Sequence, residues 1–198
     1  LFSNGCQRIG HGGASALARA NTLASFDAAH RVGVDMVEFD VRAWRGELVL
    51  AHTILHARLG ESLRLHEALA HLASPRFDGI ELNVDLKHPG CERALLAELR
   101  AAGLLERTLI SSQVTVVLDR VRALEPGARL GISVGGRVAR ASRRWSDWRA
   151  QVLEGLAAGR WSALMAQHRL VDGALLEQVA ARRGLLYAWT VNERAAIE

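Results

Sequence analysis

Glu38 and Asp40 stand two residues apart within Val34-Asp35-Met36-Val37-Glu38-Phe39-Asp40-Val41, a run of β-branched and apolar residues long enough for one buried strand. Strand side chains alternate between faces, so both carboxylates leave this strand on the same side. At that spacing they repel each other unless a proton or a cation sits between them. Oxygen ligands so placed suit a hard divalent ion, Mg²⁺ or Ca²⁺. A turn around Arg45-Gly46 and a short second strand, Glu47 to Ala51, would carry the imidazole of His52 back towards the carboxylates. Taken alone, the stretch also reads as an edge hairpin with solvated charges.

A second alternating run decides what kind of sheet positions these groups. From Gly79 to Lys87, Ile80, Leu82, Val84 and Leu86 face one way, and Glu81, Asn83, Asp85 and Lys87 face the other. An open antiparallel sheet would wet that polar row, whereas a closed barrel would turn it into an interior site. Further strands are expected at Cys6–Gly10, Thr108–Ser112, Arg129–Val134, Trp161–Ala166 and Leu185–Trp189. Helices are expected at Asn21–Arg31, Ser62–His71, Glu92–Ala102, Val114–Leu124, Asp147–Ala158 and Gly173–Arg183, with a last one starting near Asn192. This rhythm predicts a parallel sheet of βα units. A doubly wound sheet lacks its usual Gly-rich nucleotide loop after the first strand. His11, Glu38 with Asp40, Asp85 with Lys87, Ser111 with Ser112, Gln167 with His168, and Trp189 to Asn192 all fall at C-terminal strand ends, where barrel active sites are built. The expected fold is therefore α/β, a TIM (β/α)₈ barrel cut short before its eighth strand. It should form a single domain over 1–198 with only a very short insertion at about 53–61.

Composition bounds the partners. Of 198 residues, 49% are hydrophobic, enough for one sizeable core. No apolar run approaches the roughly 20 residues that cross a bilayer, so no transmembrane segment is expected. No segment resembles a signal peptide, but the chain opens at Leu1 rather than Met, as expected where a leader has been removed, and cytoplasmic residence is the default expectation. Net charge is +4, yet no basic stripe with interleaved aromatics appears. Arg137 to Arg149 reads as a solvated helix start, and no nucleic-acid partner is expected. Cys6 and Cys91 lack metal-ligand spacing and are expected to be buried small apolar residues. Lys87 is the only lysine, a compact point charge in a chain otherwise rich in planar guanidinium groups. Nothing in the sequence sets the oligomeric state.

With these residues laid out, the chain resembles the glycerophosphodiester phosphodiesterase family, barrel enzymes of the phosphatidylinositol-phospholipase-C-like group. Ile9-Gly10-His11-Gly12-Gly13 is similar to the family's His-Arg-Gly opening, and Ala20-Asn21-Thr22-Leu23 with Phe26 to its Pro-Glu-Asn-Thr segment. Glu38-Phe39-Asp40-Val41 matches the Glu-x-Asp metal motif and His52 the second histidine. Asp85-Leu86-Lys87 resembles the acidic-x-Lys strand end, and Trp189-Thr190-Val191-Asn192 the late signature. The resemblance implies hydrolysis of small anionic glycerophosphodiesters to glycerol 3-phosphate and an alcohol, with one bound Ca²⁺ or Mg²⁺. It implies Glu38, Asp40 and Asp85 as metal ligands, His11 and His52 as the acid–base pair, and Lys87 and Trp189 as substrate-binding residues.

Departures from the pattern bear on substrate class and rate. Gly12 stands where the family has Arg, and Arg19-Ala20 replaces Pro-Glu, leaving Arg19 as a candidate replacement for the missing guanidinium. Thr53 follows the second histidine where Asp is usual, and Asp85 is one methylene shorter than the usual Glu. The missing Arg and the Asp-x-Lys strand end also resemble the sphingomyelinase D-type phospholipases, and a lysophospholipase D-type activity fits the same barrel. A binding protein that has lost its chemistry is the third reading. His30, His66 and His71 are expected on helices and partly exposed, while His56, His88 and His168 could approach the pocket.

Overall fold

The computed structural model describes residues 6–60, 62–136 and 142–191. Seven parallel strands carry the architecture: β1 (Ile9–His11), β2 (Met36–Trp44), β4 (Glu81–Leu86), β5 (Thr108–Ser112), β6 (Arg129–Val134), β7 (Ala163–Gln167) and β8 (Leu185–Trp189). They lie side by side in that order, and β3 (Glu47–Leu50) pairs antiparallel with β2 off the main path. Helices α1 (Leu23–Val32), α2 (Ile54–Leu59), α3 (Leu65–Leu72), α4 (Glu92–Ala101), α5 (Thr115–Leu124), α6 (Ser142–Ala157) and α7 (Gly173–Ala180) fill the connections. This is the curled, TIM-type sheet that the βα rhythm predicts, with the seven core strands expected from the sequence. Among the described residues no pairing joins β8 back to β1.

Burial explains why the strands read as they do. A parallel strand covered by helices outside and side chains inside is apolar or tightly satisfied on both faces. Val37, Phe39, Val41, Leu82, Val84, Leu86, Ile110, Leu130, Ile132 and Leu164 point outward and pack against the helices in the larger core cluster. The concave side is filled by a second cluster, Met36, Leu109, Ala163, Met165 and Tyr187, which plugs the N-terminal half of the barrel interior. The polar residues at the C-terminal strand ends sit above that plug. The register fixes their order: His11 lies beside Glu38, Glu38 beside Asn83, and Asp40 beside Asp85.

Several local expectations change. The first strand is confined to Ile9–His11. Cys6 is exposed, so only Cys91 is the buried apolar cysteine expected, and burial pushes its thiol up to about 11. The helix expected over Ser62–His71 starts at Leu65, after an extended Arg64. The region after His52 folds as α2, capped by the Thr53 side chain accepting from the His56 amide. Six residues are too few for a helical period to stand out, so the sequence does not announce this helix. The last helix expected near Asn192 lies outside the described residues.

The turn after β1 is a tight joint. Gly13 has φ +78°, and its amide donates to the Glu38 carbonyl at 3.1 Å. A Cβ at Gly13 would lie 2.5 Å from Ser25 Oγ and 2.6 Å from the Ser25 carbonyl carbon, a backbone clash that no rotamer relieves. Gly13→Ala should therefore destabilise the fold by about 2 kcal/mol or more, read as a lower urea midpoint with an unchanged slope.

Candidate active site

Three carboxylates meet at the mouth of the sheet because two adjacent strands present them in register. Glu38 and Asp40 leave β2 towards the interior, and Asp85 leaves β4 next to Asp40. All three are buried, and one oxygen from each lies within 4.8 Å of the others. The polar row of the second alternating run thus lines an interior site, as a barrel requires, and the solvated edge hairpin is excluded.

Each carboxylate is held differently. Glu38 Oε2 accepts the Gly12 amide at 2.8 Å. Asp40 Oδ2 accepts from Asn21 Nδ2 at 2.8 Å, while the Asp40 amide donates back to Asn21 Oδ1 at 3.0 Å. Asp40 Oδ1 faces His52 Nδ1 at 3.2 Å and Lys87 Nζ at 2.5 Å. Lys87 also pairs with Asp85 Oδ2, but Asp85 Oδ1 is buried with no hydrogen-bond partner. Asn83 Oδ1, beside Glu38 in the register, is equally orphaned. The environments split the acids. Burial, with the Asp40 and Asp85 charges behind it, pushes Glu38 well above the usual carboxylate range. Burial also raises Asp85. Asp40 is buried too, but His52, Lys87 and Asn21 outweigh that and hold it below the ordinary value. Lys87 loses solvation yet is raised by its two carboxylate neighbours.

One ammonium therefore serves three buried carboxylates. Two of them resist ionising, and one buried oxygen has no donor. A hard divalent cation is the chemistry that satisfies such an all-oxygen set, because its charge reverses the cost of ionising the acids and its coordination fills the orphaned lone pairs. The residues fit a bound Ca²⁺ or Mg²⁺.

The histidines flank this cluster. His11 Nε2 lies 3.8 Å from Glu38 Oε2, and His11 Nδ1 is 2.8 Å from Thr190 Oγ1. His52 is 57% exposed in its side chain, with its ring turned over Asp40. Burial lowers the His11 pKa, so its neutral form is favoured. The sign follows: the unfolded imidazole, near 6.5, takes up its proton first as pH falls. The His11 contribution to stability is whole above that value and declines below it, until the folded ring protonates as well. Imidazole NMR titration of the EDTA-treated protein should place His11 below 6.5, the ordinary value for the group.

Trp189 stands edge-on to His11, with ring centroids 6.5 Å apart. Its indole N–H donates to the Met165 carbonyl at 3.0 Å, and the Cζ2–Cη2 edge of its ring lies against Gly135, leaving no room there for a Cβ. The same side chain is thus both packed and part of the wall of a cavity of about 1000 Å³, lined also by His11, Glu38, His52, Asn83, Asp85 and Lys87.

The remaining candidates scatter. Arg19 reaches Gly60 and is not part of the cavity wall, so it does not replace the guanidinium missing at Gly12. Gly12 itself is fixed by φ +61° and by Ala20, whose Cβ would meet a Gly12 Cβ at 2.8 Å; the two departures fit each other. Ser112 is turned to the Leu86 carbonyl, whereas Ser111 lines the cavity. His88 accepts from the Ala43 amide, and His56 rides on α2. Neither these two nor His168 is part of the cavity wall. Asn21 and Asn83 are the polar residues that sequence reasoning passes over as site components. Asn21 enters there only as a helix start and within the Ala20-Asn21-Thr22-Leu23 resemblance, with Thr22 as the helix cap, and Asn83 is visible in the alternating row without a chemical reason to single it out.

The fold and the acid cluster define a TIM-type barrel with a cation-ready mouth. A family model, the glycerophosphoryl diester phosphodiesterase family, matches residues 11–62, which span His11, Glu38, Asp40 and His52. No curated protein sequence matches the chain. Among solved structures, a Silicibacter pomeroyi protein provisionally assigned as a glycerophosphoryl diester phosphodiesterase superposes with a TM-score of 0.81 at 20% identity, covering 98% of this chain and 86% of that one. A glycerophosphodiester phosphodiesterase from Agrobacterium tumefaciens gives 0.72 at 19% identity, covering 97% and 90%. An Oleispira antarctica phosphodiesterase, solved with the product sn-glycerol-3-phosphate, gives 0.71 at 23% identity, covering 96% and 87%. The family model over residues 11–62 is the one the sequence resemblance names, and these neighbours share the fold of this chain.

Proposed function

We propose that the protein is a divalent-cation-dependent phosphodiesterase that cleaves glycerophosphodiesters to glycerol 3-phosphate and an alcohol. The observation that carries this reading is the buried trio Glu38, Asp40 and Asp85, with Asp85 Oδ1 unpartnered, between two histidines. The matching family model over this segment, and a structural neighbour solved with sn-glycerol-3-phosphate, support the substrate class.

Glu38, Asp40 and Asp85 would hold the ion, and a Ca²⁺ or Mg²⁺ bound there supplies positive charge against the phosphoryl oxygens as the diester's charge grows. Lys87 adds a fixed ammonium at the same edge. His11, kept neutral by burial, accepts the proton of the attacking oxygen as its bond to phosphorus forms. His52 hands a proton to the departing alcohol oxygen as the other phosphorus–oxygen bond breaks. Asp40 orients that ring through Nδ1, leaving Nε2 as the working atom, and Asn21 fixes Asp40 from behind. Trp189 walls the glycerol side of the cavity. The catalytic unit is one barrel domain over the whole chain, with α2 as the short addition between His52 and α3.

The test is ³¹P NMR of glycerophosphocholine incubated with the protein and Ca²⁺ or Mg²⁺. Glycerol 3-phosphate should appear with free choline. Phosphocholine and glycerol would mean cleavage at the other ester bond. No product here, together with turnover of sphingomyelin or lysophosphatidylcholine, would transfer the protein to the phospholipase D-type reading.

A further inference from the structure

We propose that the rim of the barrel mouth, formed by the turn at Ala14–Arg19 and by α2, docks on an anionic lipid bilayer. Among the described residues, eight large apolar side chains are exposed, and four of them fall in these two short segments: Leu17 (65%), Ile54 (48%), Leu55 (55%) and Leu59 (79%). The other four, Val32, Val116, Leu176 and Leu185, lie on four separate elements. Singly scattered apolar residues need no explanation, but a concentration beside a site marks an interaction surface.

The two segments are neighbours. The Arg19 guanidinium lies 3.0 Å from where a Cβ at Gly60 would stand, which brings the 14–19 turn against the end of α2. Each also touches the site: Ala14 and Ala16 line the cavity, and His52 directly precedes the Thr53 cap of α2. On α2, Ala57 alone is buried, against Val49 and Ala51. Leu55 and Leu59, four residues apart, share one exposed stripe, and Ile54 and Arg58 form the next.

Charge selects the occupant. From 14 to 20 and from 53 to 60 there is no carboxylate, while Arg19 and Arg58 are exposed and have no ion-pair partner among the described residues. Leucines flanked by unpaired guanidinium groups match an interface of acyl chains beneath anionic headgroups. A second copy of the chain would instead bring Arg19 and Arg58 against the same cations, since the described residues of the patch include no acid to receive them.

Co-sedimentation with vesicles tests this without reference to turnover. The full chain should bind vesicles of phosphatidylcholine mixed with phosphatidylglycerol and bind phosphatidylcholine alone far more weakly. Leu55→Asp with Leu59→Asp, and separately Arg19→Glu with Arg58→Glu, should each weaken that binding roughly tenfold or more. Far-UV circular dichroism should stay unchanged, because all four positions are solvent-exposed. Glycerophosphocholine turnover in solution should be equal in all variants, so loss of docking and loss of the proposed activity are read separately. Three results would each overturn the proposal. One is no binding at low salt, and another is binding that the leucine variants leave intact. The third is a concentration-dependent dimer in lipid-free buffer that Leu55→Asp dissolves.

Discussion

His11→Ala and His52→Ala should each lower the rate of glycerol 3-phosphate release by roughly 10²–10⁴-fold, the usual worth of a positioned general acid or base. The two losses should differ in their pH dependence. His11 is depressed by burial and makes its Nδ1 contact with Thr190, so its removal should erase the acidic limb of the rate profile. His52 is exposed and steered by Asp40, so its removal should be partly rescued by substrates whose leaving alcohol needs no proton. A p-nitrophenyl phosphodiester supplies that comparison. A His52→Ala variant equally slow on both substrates would reject its role as proton donor. Neither ring packs in the main core clusters, so the folded fraction should not change.

Lys87→Met should lower the stability of the EDTA-treated protein by about 3 kcal/mol, within the range for stripping one partner from a buried ion pair. For a chain of this size that corresponds to a melting temperature lower by roughly 10 °C. The side chain is only 13% exposed and neutralises both Asp40 and Asp85. Methionine keeps the packing and removes the charge. Asp85, already raised by burial, can escape part of the penalty by taking up a proton, which is why the cost falls at the low end. Millimolar Ca²⁺ or Mg²⁺ should restore more stability to Lys87→Met than to the parent, since the ion replaces the missing ammonium. Equal melting temperatures without metal would show that Lys87 does not carry the cluster's charge balance.

Much of this site is legible in the amino-acid sequence because its signals are short-range. Period-two alternation puts Glu38 and Asp40 on one face and sets Asp85 and Lys87 in a single row. The repeated βα rhythm then requires the interior to receive them. What escapes depends on contacts distant in sequence or on unusual backbone. Asn21 holds Asp40 only because its own φ of +60° and the turn after β1 bring it across nineteen positions. The cation-ready character of Asp85 lies in an oxygen left without a donor, which no pattern of residue types displays. Trp189 enters from the resemblance as a pocket residue, and its packing role depends on contacts distant in sequence, since the ring packs on Gly135 and stands T-shaped to His11. The apolar character of Cys6 suggests burial, but its position ahead of the first strand leaves it exposed.

The central claim, that three buried carboxylates make a divalent-cation site that the reaction needs, is tested most directly by metal add-back. Protein stripped with EDTA would be assayed for glycerol 3-phosphate release from glycerophosphocholine and glycerophosphoethanolamine, then titrated with Ca²⁺ and with Mg²⁺, alongside Glu38→Gln. The expected result is no turnover in EDTA, saturable recovery with at least one ion at one ion per chain, and no recovery in the variant. Full turnover by folded, metal-stripped protein, or recovery undiminished in Glu38→Gln, would contradict it.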